Sequence, residues 1–218
     1  MRLNLQLTPN KDIVPYDHLP ALVGAIHKWL GQDNDMHGKP SLYSFSWLQG
    51  GKSLTNGLDF SNGSSFFISI YDQEVAQMVM KNILRDPDLN WGMRVKELQF
   101  SYAPDFGSNY RFKCASPFLI KSREKQPRQY LNIDDPNTPD SLCHVIHRKM
   151  EEAGLPKDDT LEINPTKEYV KHKLVNYKGI KNRVYLCPIE INGRPDTLQF
   201  IWEVGIGHST GIGLGAIY

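Results

Sequence analysis

Two of the three histidines in the first forty residues, His27 and His37, stand where they could move protons. Imidazole titrates near neutral pH, so a positioned histidine can act as general base or general acid. His37 sits in the polar stretch Gln32–Pro40, between Gly31 and Gly38. A histidine in such a loop is exposed by default and open to a ligand. His27 lies four residues after Val23 and three before Leu30, on the flank of an apolar helical pattern. There a packing role competes with a chemical one. Two lysines could add fixed positive charge: Lys52, after Gly50-Gly51, and Lys39, two residues past His37. For each, a solvated surface lysine is the commoner fate. His144 and His147 are spaced i, i+3, which can supply two metal ligands. No Cys or carboxylate constellation completes a site, so they read as helix-surface residues and no metal is expected.

The chain closes on GIGHSTGIGLGAIY, with five glycines between 205 and 215. A dinucleotide fingerprint needs GxGxxG opening a helix, and no helix fits after Gly211. A phosphate loop needs Gly-Lys-Ser/Thr, and no lysine follows these glycines. No nucleotide cofactor is therefore expected. A glycine-rich hairpin or bulged terminal strand remains open. So does a loop whose backbone N–H groups approach a phosphate, with His208 and Ser209 as added donors.

Basic residues cluster in the same half. KSREKQPR (121–128) holds four basic residues and one acid, among them Lys121 and Arg123. KEYVKHKLVNYKGIKNR (167–183) holds six and one, with Tyr169 and Tyr177 interleaved. Strand alternation puts Lys171 and Lys173 on one face and His172 on the other. Such a face can track an RNA backbone while aromatics stack on bases, or be only a solvated strand face.

The elements that must position these groups follow from periodicity. Leu3, Leu5 and Leu7 alternate as in a half-buried strand. A helix is expected from Asp17, a candidate N-cap, to Gly31, a stop. Strands follow at Ser41–Leu48 and Ser64–Tyr71, then a helix capped by Asp72, then a strand in Trp91–Tyr102. The order β-α-β-β-α-β is ferredoxin-like. A second unit begins near Ser108, with a strand over Tyr110–Lys121 broken at Pro117. A helix opens at Thr138-Pro139 and ends at Gly154. Tyr169–Tyr177 and Arg183–Ile191 form a strand pair, and Leu198–Val204 is expected as a buried strand. No second helix is expected in this half. The fold class is α+β: two ferredoxin-like (RRM-like) domains, 1–107 and 108–218, the second β-rich and degenerate.

Bulk properties bound the rest. The 218 residues are 40% hydrophobic and 22% charged, with a net charge of +1. The first 108 residues carry net −2 and the remainder net +3. The three cysteines include no CxxC pair and cannot all pair with one another. With no apolar run long enough to span a bilayer and no apolar leader, a cytoplasmic protein away from membranes is expected.

The closing glycine stretch resembles that of the RAMP superfamily, and more narrowly the CRISPR-associated endoribonucleases that process repeat precursor RNA. SPFLIK (116–121) and YLNIDDPNTPDSLCHVIHRKM (130–150) are similar to that family's second-domain opening. PYDHLPALVGAIHKWLGQDNDMHGKPSLYSFSWL (15–48) is similar to its first helix, catalytic loop and second strand. The segment from Val170 to the end resembles its closing part. The resemblance spans nearly the whole chain in order. It implies two ferredoxin-like domains and metal-independent cleavage of repeat RNA. His37 takes the place of a catalytic histidine, His27 that of its partner, and Lys52 a basic position near the phosphate. It places RNA on Gly205, Gly207, His208, Ser209, Gly211 and Gly213, joined by Lys121, Arg123, Lys171 and Lys173. Other effector subunits or a second copy of the chain are further expected partners. The alternative is a non-catalytic RAMP-type RNA-binding subunit.

Overall fold

The computed structural model describes residues 1–31, 39–122 and 129–218. The leucine alternation produces β1 (Arg2–Leu7), whose Leu3, Leu5 and Leu7 are fully buried. Each such side chain contributes about 1.5–3 kcal/mol on burial. They face α1 (Leu19–Leu30) and α2 (Gln73–Arg85), through Leu22, Ile26 and Trp29 on the first and Ala76, Val79 and Ile83 on the second. Between the helices run β2 (Tyr43–Phe45), the short hairpin β3 (Lys52–Leu54) and β4 (Gly57–Asp59), and β5 (Ser64–Ile70). After α2 comes β6 (Val95–Ser101). The sheet order is β2-β5-β1-β6, antiparallel throughout, which is the ferredoxin-like order.

Asp72 caps α2 as expected, accepting from the backbone N–H of Glu74 (2.8 Å) and Val75 (3.1 Å). Asp17 does not cap α1. His18 occupies the N-cap position without a side-chain cap bond, and Pro20 in the first turn sets the helical φ instead. The strand expected over Ser41–Leu48 contracts to β2, and the β3–β4 hairpin fills the space that follows.

The second half repeats the plan. β7 (Asn109–Phe112), α3 (Thr138–Glu152), β8 (Glu162–Pro165), the hairpin β9 (Lys171–Tyr177) and β10 (Ile180–Leu186), β11 (Ile189–Asn192) and α4 (Pro195–Val204) follow in order. The sheet order is β7-β11-β8. Residues 113–116 then pair with the last residues: Lys113 and Tyr218 exchange two 2.9 Å backbone bonds, and Cys114 bridges Ile217. The glycine stretch thus returns as a fourth, irregular strand.

Three expectations fail here, the first being the strand over Arg183–Ile191, which divides between β10 and β11 in different sheets. Leu198–Val204 is helical, and the half does have its second helix. Leu198, Phe200, Trp202 and Val204 alternate by two and so imitate a strand. Thr197 and Ile201 are buried as well, so the segment is covered almost all round. A short segment of that kind cannot be typed by period alone. Pro195 in its first turn and Gly205 (φ 69°) after its end were the local signals for helix. The continuous strand expected over Tyr110–Lys121 is also interrupted, surviving as β7 and isolated bridges at Cys114, Phe118, Leu119 and Lys121.

The polar face of β1 looks toward the second half. Arg2 donates to Ser69 Oγ (2.7 Å), to Ile217 O (2.7 Å) and to Trp202 O (3.1 Å). Its guanidinium lies 3.8 Å from the Phe67 ring centroid and 3.6 Å from that of Trp202. The Met1 amine donates to Ile70 O and pairs with Glu203.

Candidate RNA-processing cleft

His27 is exposed in the last turn of α1. Its Nε2 is 3.4 Å from the hydroxyl of Tyr43, the first residue of β2. That hydroxyl donates to Gly211 O at 3.2 Å. With its one proton directed to Gly211, the Tyr43 oxygen is left to accept from His27. Burial, with Tyr177 nearby, raises the Tyr43 phenol well above its ordinary range, so it stays neutral. The first helix and the glycine stretch therefore meet through one buried tyrosine.

Gly205, Gly207, Gly211, Gly213 and Gly215 are all buried. Close approach leaves no room for a Cβ at any of them, and at two the nearest obstacles are side chains of the first half. A Cβ at Gly211 would run into Ser41 Oγ and come within 3.0 Å of the Tyr43 hydroxyl. A Cβ at Gly213 (φ 84°) would sit 2.6 Å from the Phe45 ring and 2.7 Å from Leu19. Trp47 Nε1 donates to Gly213 O at 2.8 Å. The stretch is packed into the first half, and within it His208 and Ser209 are the more accessible members beside the cleft.

That cleft, of about 310 Å³, lies between three pieces of chain. Lys39–Ser41 form one side, Gly207–Thr210 another, and His144, Arg148 and Lys149 of α3 the floor, with Ser122 at the margin. Lys39 pairs with Glu152 Oε1 at 3.2 Å and so ties the first half to α3. His37 lies outside the described residues, two positions before the Lys39 that lines the cleft. Arg123 also lies outside them, next to Ser122.

Lys149 is 3% exposed. Its Nζ donates to Val204 O (2.6 Å) and Thr210 Oγ1 (2.9 Å), with Gly205 O at 3.5 Å. Burial pushes its pKa down to about 7. It belongs to none of the chemical motifs in the chain. The available signal was its position seven residues after Leu142 and three after Ile146, on the apolar stripe of α3, where a lysine needs a reason.

Lys52 is exposed on β3. Its hairpin is anchored near the start of α1, by the Val14–Leu58 bridge and a 2.6 Å bond from the Tyr16 hydroxyl to Leu54 O. His27 lies eight residues after Leu19, about 12 Å further along the axis, so the two stand toward opposite ends of α1. Lys173 reaches the glycine region from β9, with Nζ 5.5 Å from the Trp47 ring centroid. Lys171 is exposed on the same face of β9. Lys121 stacks at 5.7 Å over Tyr130 beside Ser122.

A family model described as CRISPR associated protein Cas6, C-terminal, matches residues 101–218. The solved product of a Cas6-related gene from Pyrococcus furiosus superposes with a TM-score of 0.85 at 20% identity, over 100% of this chain and 97% of that one. A RAMP protein described as binding different RNA substrates gives 0.86 at 21%, over 100% and 98%. A CRISPR associated protein Cas6 gives 0.83 at 21%, over 100% and 98%. At such identities the structural likeness establishes the fold. Among curated protein sequences there is no significant match.

Proposed function

The chain belongs to the family of the CRISPR-associated protein Cas6, and from that membership we propose that it is a metal-independent endoribonuclease cleaving CRISPR repeat precursor RNA. The observation that carries the reading is the meeting of His27, Tyr43 and Gly211 beside a basic cleft. In this reading the substrate's own 2′-OH attacks the adjacent phosphorus. One histidine takes the 2′-OH proton and another protonates the departing 5′-oxygen. The products are a 2′,3′-cyclic phosphate and a 5′-hydroxyl. His27 and His37 are the proposed pair. Lys39 and Arg148 line the cleft and are better placed than Lys52 to meet phosphorane charge. Lys52, Lys171, Lys173, Lys121 and Arg123 are proposed as contacts along the RNA, and His208 and Ser209 as contacts at the cleft. Gly207 lines the cleft and is a proposed backbone contact, while Gly205, Gly211 and Gly213 are proposed to shape the wall behind it.

The test is single-turnover cleavage of repeat RNA in EDTA. Cutting is expected without added metal, and not when the ribose upstream of the scissile bond is 2′-deoxy. A strict need for added metal, or cleavage of the deoxy substrate, would overturn the mechanism. Tight binding without any cleavage would leave an RNA-binding subunit instead.

A further inference from the structure

Lys149 is a buried ammonium without an acidic partner among the described residues. An ammonium has three donors, and three oxygens face it: Val204 O, Gly205 O and Thr210 Oγ1. Two belong to the carboxyl end of α4, where the helix dipole favours a cation. The third belongs to the single 3-10 turn Thr210–Ile212 of the glycine stretch. From there the connection continues: Gly213 N donates to Thr210 O at 3.1 Å, and Gly213 O accepts from Trp47 Nε1. Removing the proton would turn one donor into a lone pair facing an oxygen and would cancel the charge–dipole attraction.

We propose that Lys149 is a positioning residue that, while protonated, fastens the turn Ser209–Gly213 to the end of α4 and so holds the cleft wall in its RNA-binding arrangement. The inference rests on the RNA-processing reading for its consequence but not for its geometry. Among the described residues, three pieces of chain bring charged or titratable groups to the surroundings of Lys149. His144, Arg148 and Glu152 come from α3, Lys39 from the facing segment, and His208 from the glycine stretch. Glu203 of α4 is engaged by the Met1 amine and lies near Arg2. Burial brings the Lys149 proton into play near pH 7, within the range of histidines and far below that of surface lysines, so the variants rather than the midpoint identify it.

The experiment has two arms on the full chain. The first follows the Trp47 indole N–H resonance of RNA-free protein from pH 6 to 9, assigned with Trp47→Phe. The resonance should move with a midpoint near neutral pH. In Lys149→Arg, which keeps its charge, and in Thr210→Val, which removes the acceptor, the movement above pH 7 should vanish. An identical movement in either variant overturns the proposal, since His144 and His208 remain in both. The second arm measures affinity for a fluorescent repeat RNA. Wild type should weaken about tenfold between pH 6.5 and 8.5, and Lys149→Arg clearly less; equal slopes overturn the link to binding. If the indole shift is present but RNA never binds, the fastening stands and the RNA reading fails.

Discussion

The contact between His27 and Tyr43 is long, at 3.4 Å, the kind of geometry that tightens when a substrate oxygen arrives. Free-enzyme hydrogen bonds of catalytic groups are often loose in this way. Replacing His27 or His37 by Ala should each lower the single-turnover cleavage rate by about 10²–10⁴, with RNA affinity little changed. Wild-type rates in either variant would remove that histidine from the mechanism. Lys149 makes a different prediction, for stability. Its folded pKa of about 7 lies below the ordinary 10.5. Between those values the unfolded chain binds more protons than the folded one, so this group's contribution rises with pH. Wild type should therefore gain thermal stability relative to Lys149→Met from pH 7 to 10, as read by melts of both proteins in matched buffers. A constant gap would place the Lys149 proton outside that window. His27 was picked out as a candidate by its residue type and the family resemblance, since its helical spacing alone left a packing role equally open. For Lys149 the apolar stripe of α3 announced burial, but not the carbonyl oxygens of a distant helix end that hold it.

At the scale of elements, β1, α1, α2 and α3 could be read from the chain because each has one apolar face and one polar face. α4 has almost no polar face, and so its helical period was hidden. What holds α4 in place is similarly non-local. Asp158, buried before β8, accepts from the backbone N–H of Arg194, the N-cap residue of α4, at 2.8 Å. Its other oxygen accepts from Thr160 N and Oγ1 at 3.0 and 2.7 Å. Burial alone would raise its pKa, but these bonds outweigh burial and bring it down to about 2. Because the folded pKa is depressed, this stabilisation is present above the unfolded value near 3.8 and is lost as pH falls through 2. Asp158→Ala should cost about 2–3 kcal/mol at neutral pH, read by urea unfolding. A loss under 0.5 kcal/mol would show that α4 is seated by its apolar contacts alone. The glycine stretch belongs to the same lesson. Its failure as a nucleotide motif was visible in the chain, whereas its role as packing was not. Gly211 is small because of Ser41 and Tyr43, some 170 positions upstream.

At the scale of the molecule, the two halves have separate apolar cores, one around β1 and one around β11. They are joined by polar groups that neither half satisfies alone. Arg2 belongs to the first half by sequence, yet two of its three hydrogen bonds end on Trp202 O and Ile217 O in the second. Its guanidinium also lies against Phe67 and Trp202, one ring from each half. Leu119, Val184 and Leu214 form a small apolar cluster beside Trp47, Val175 and Ile212, again drawn from both sides. Taking the boundary at 107/108, we expect the halves to unfold together, because separating them would strand these buried groups. Arg2→Ala leaves the Trp202 and Ile217 carbonyls without this donor and should cost about 1–3 kcal/mol. Trp29 and Trp91 report on the first half and Trp202 on the second. Single-tryptophan versions should show one common urea midpoint in wild type, and an equal displacement of that midpoint in Arg2→Ala. A midpoint that moves only for Trp202 would mean that the second half depends on the first without reciprocation. The cleft, which draws Lys39 from one half and Arg148 from the other, would then survive only as long as the weaker half stays folded.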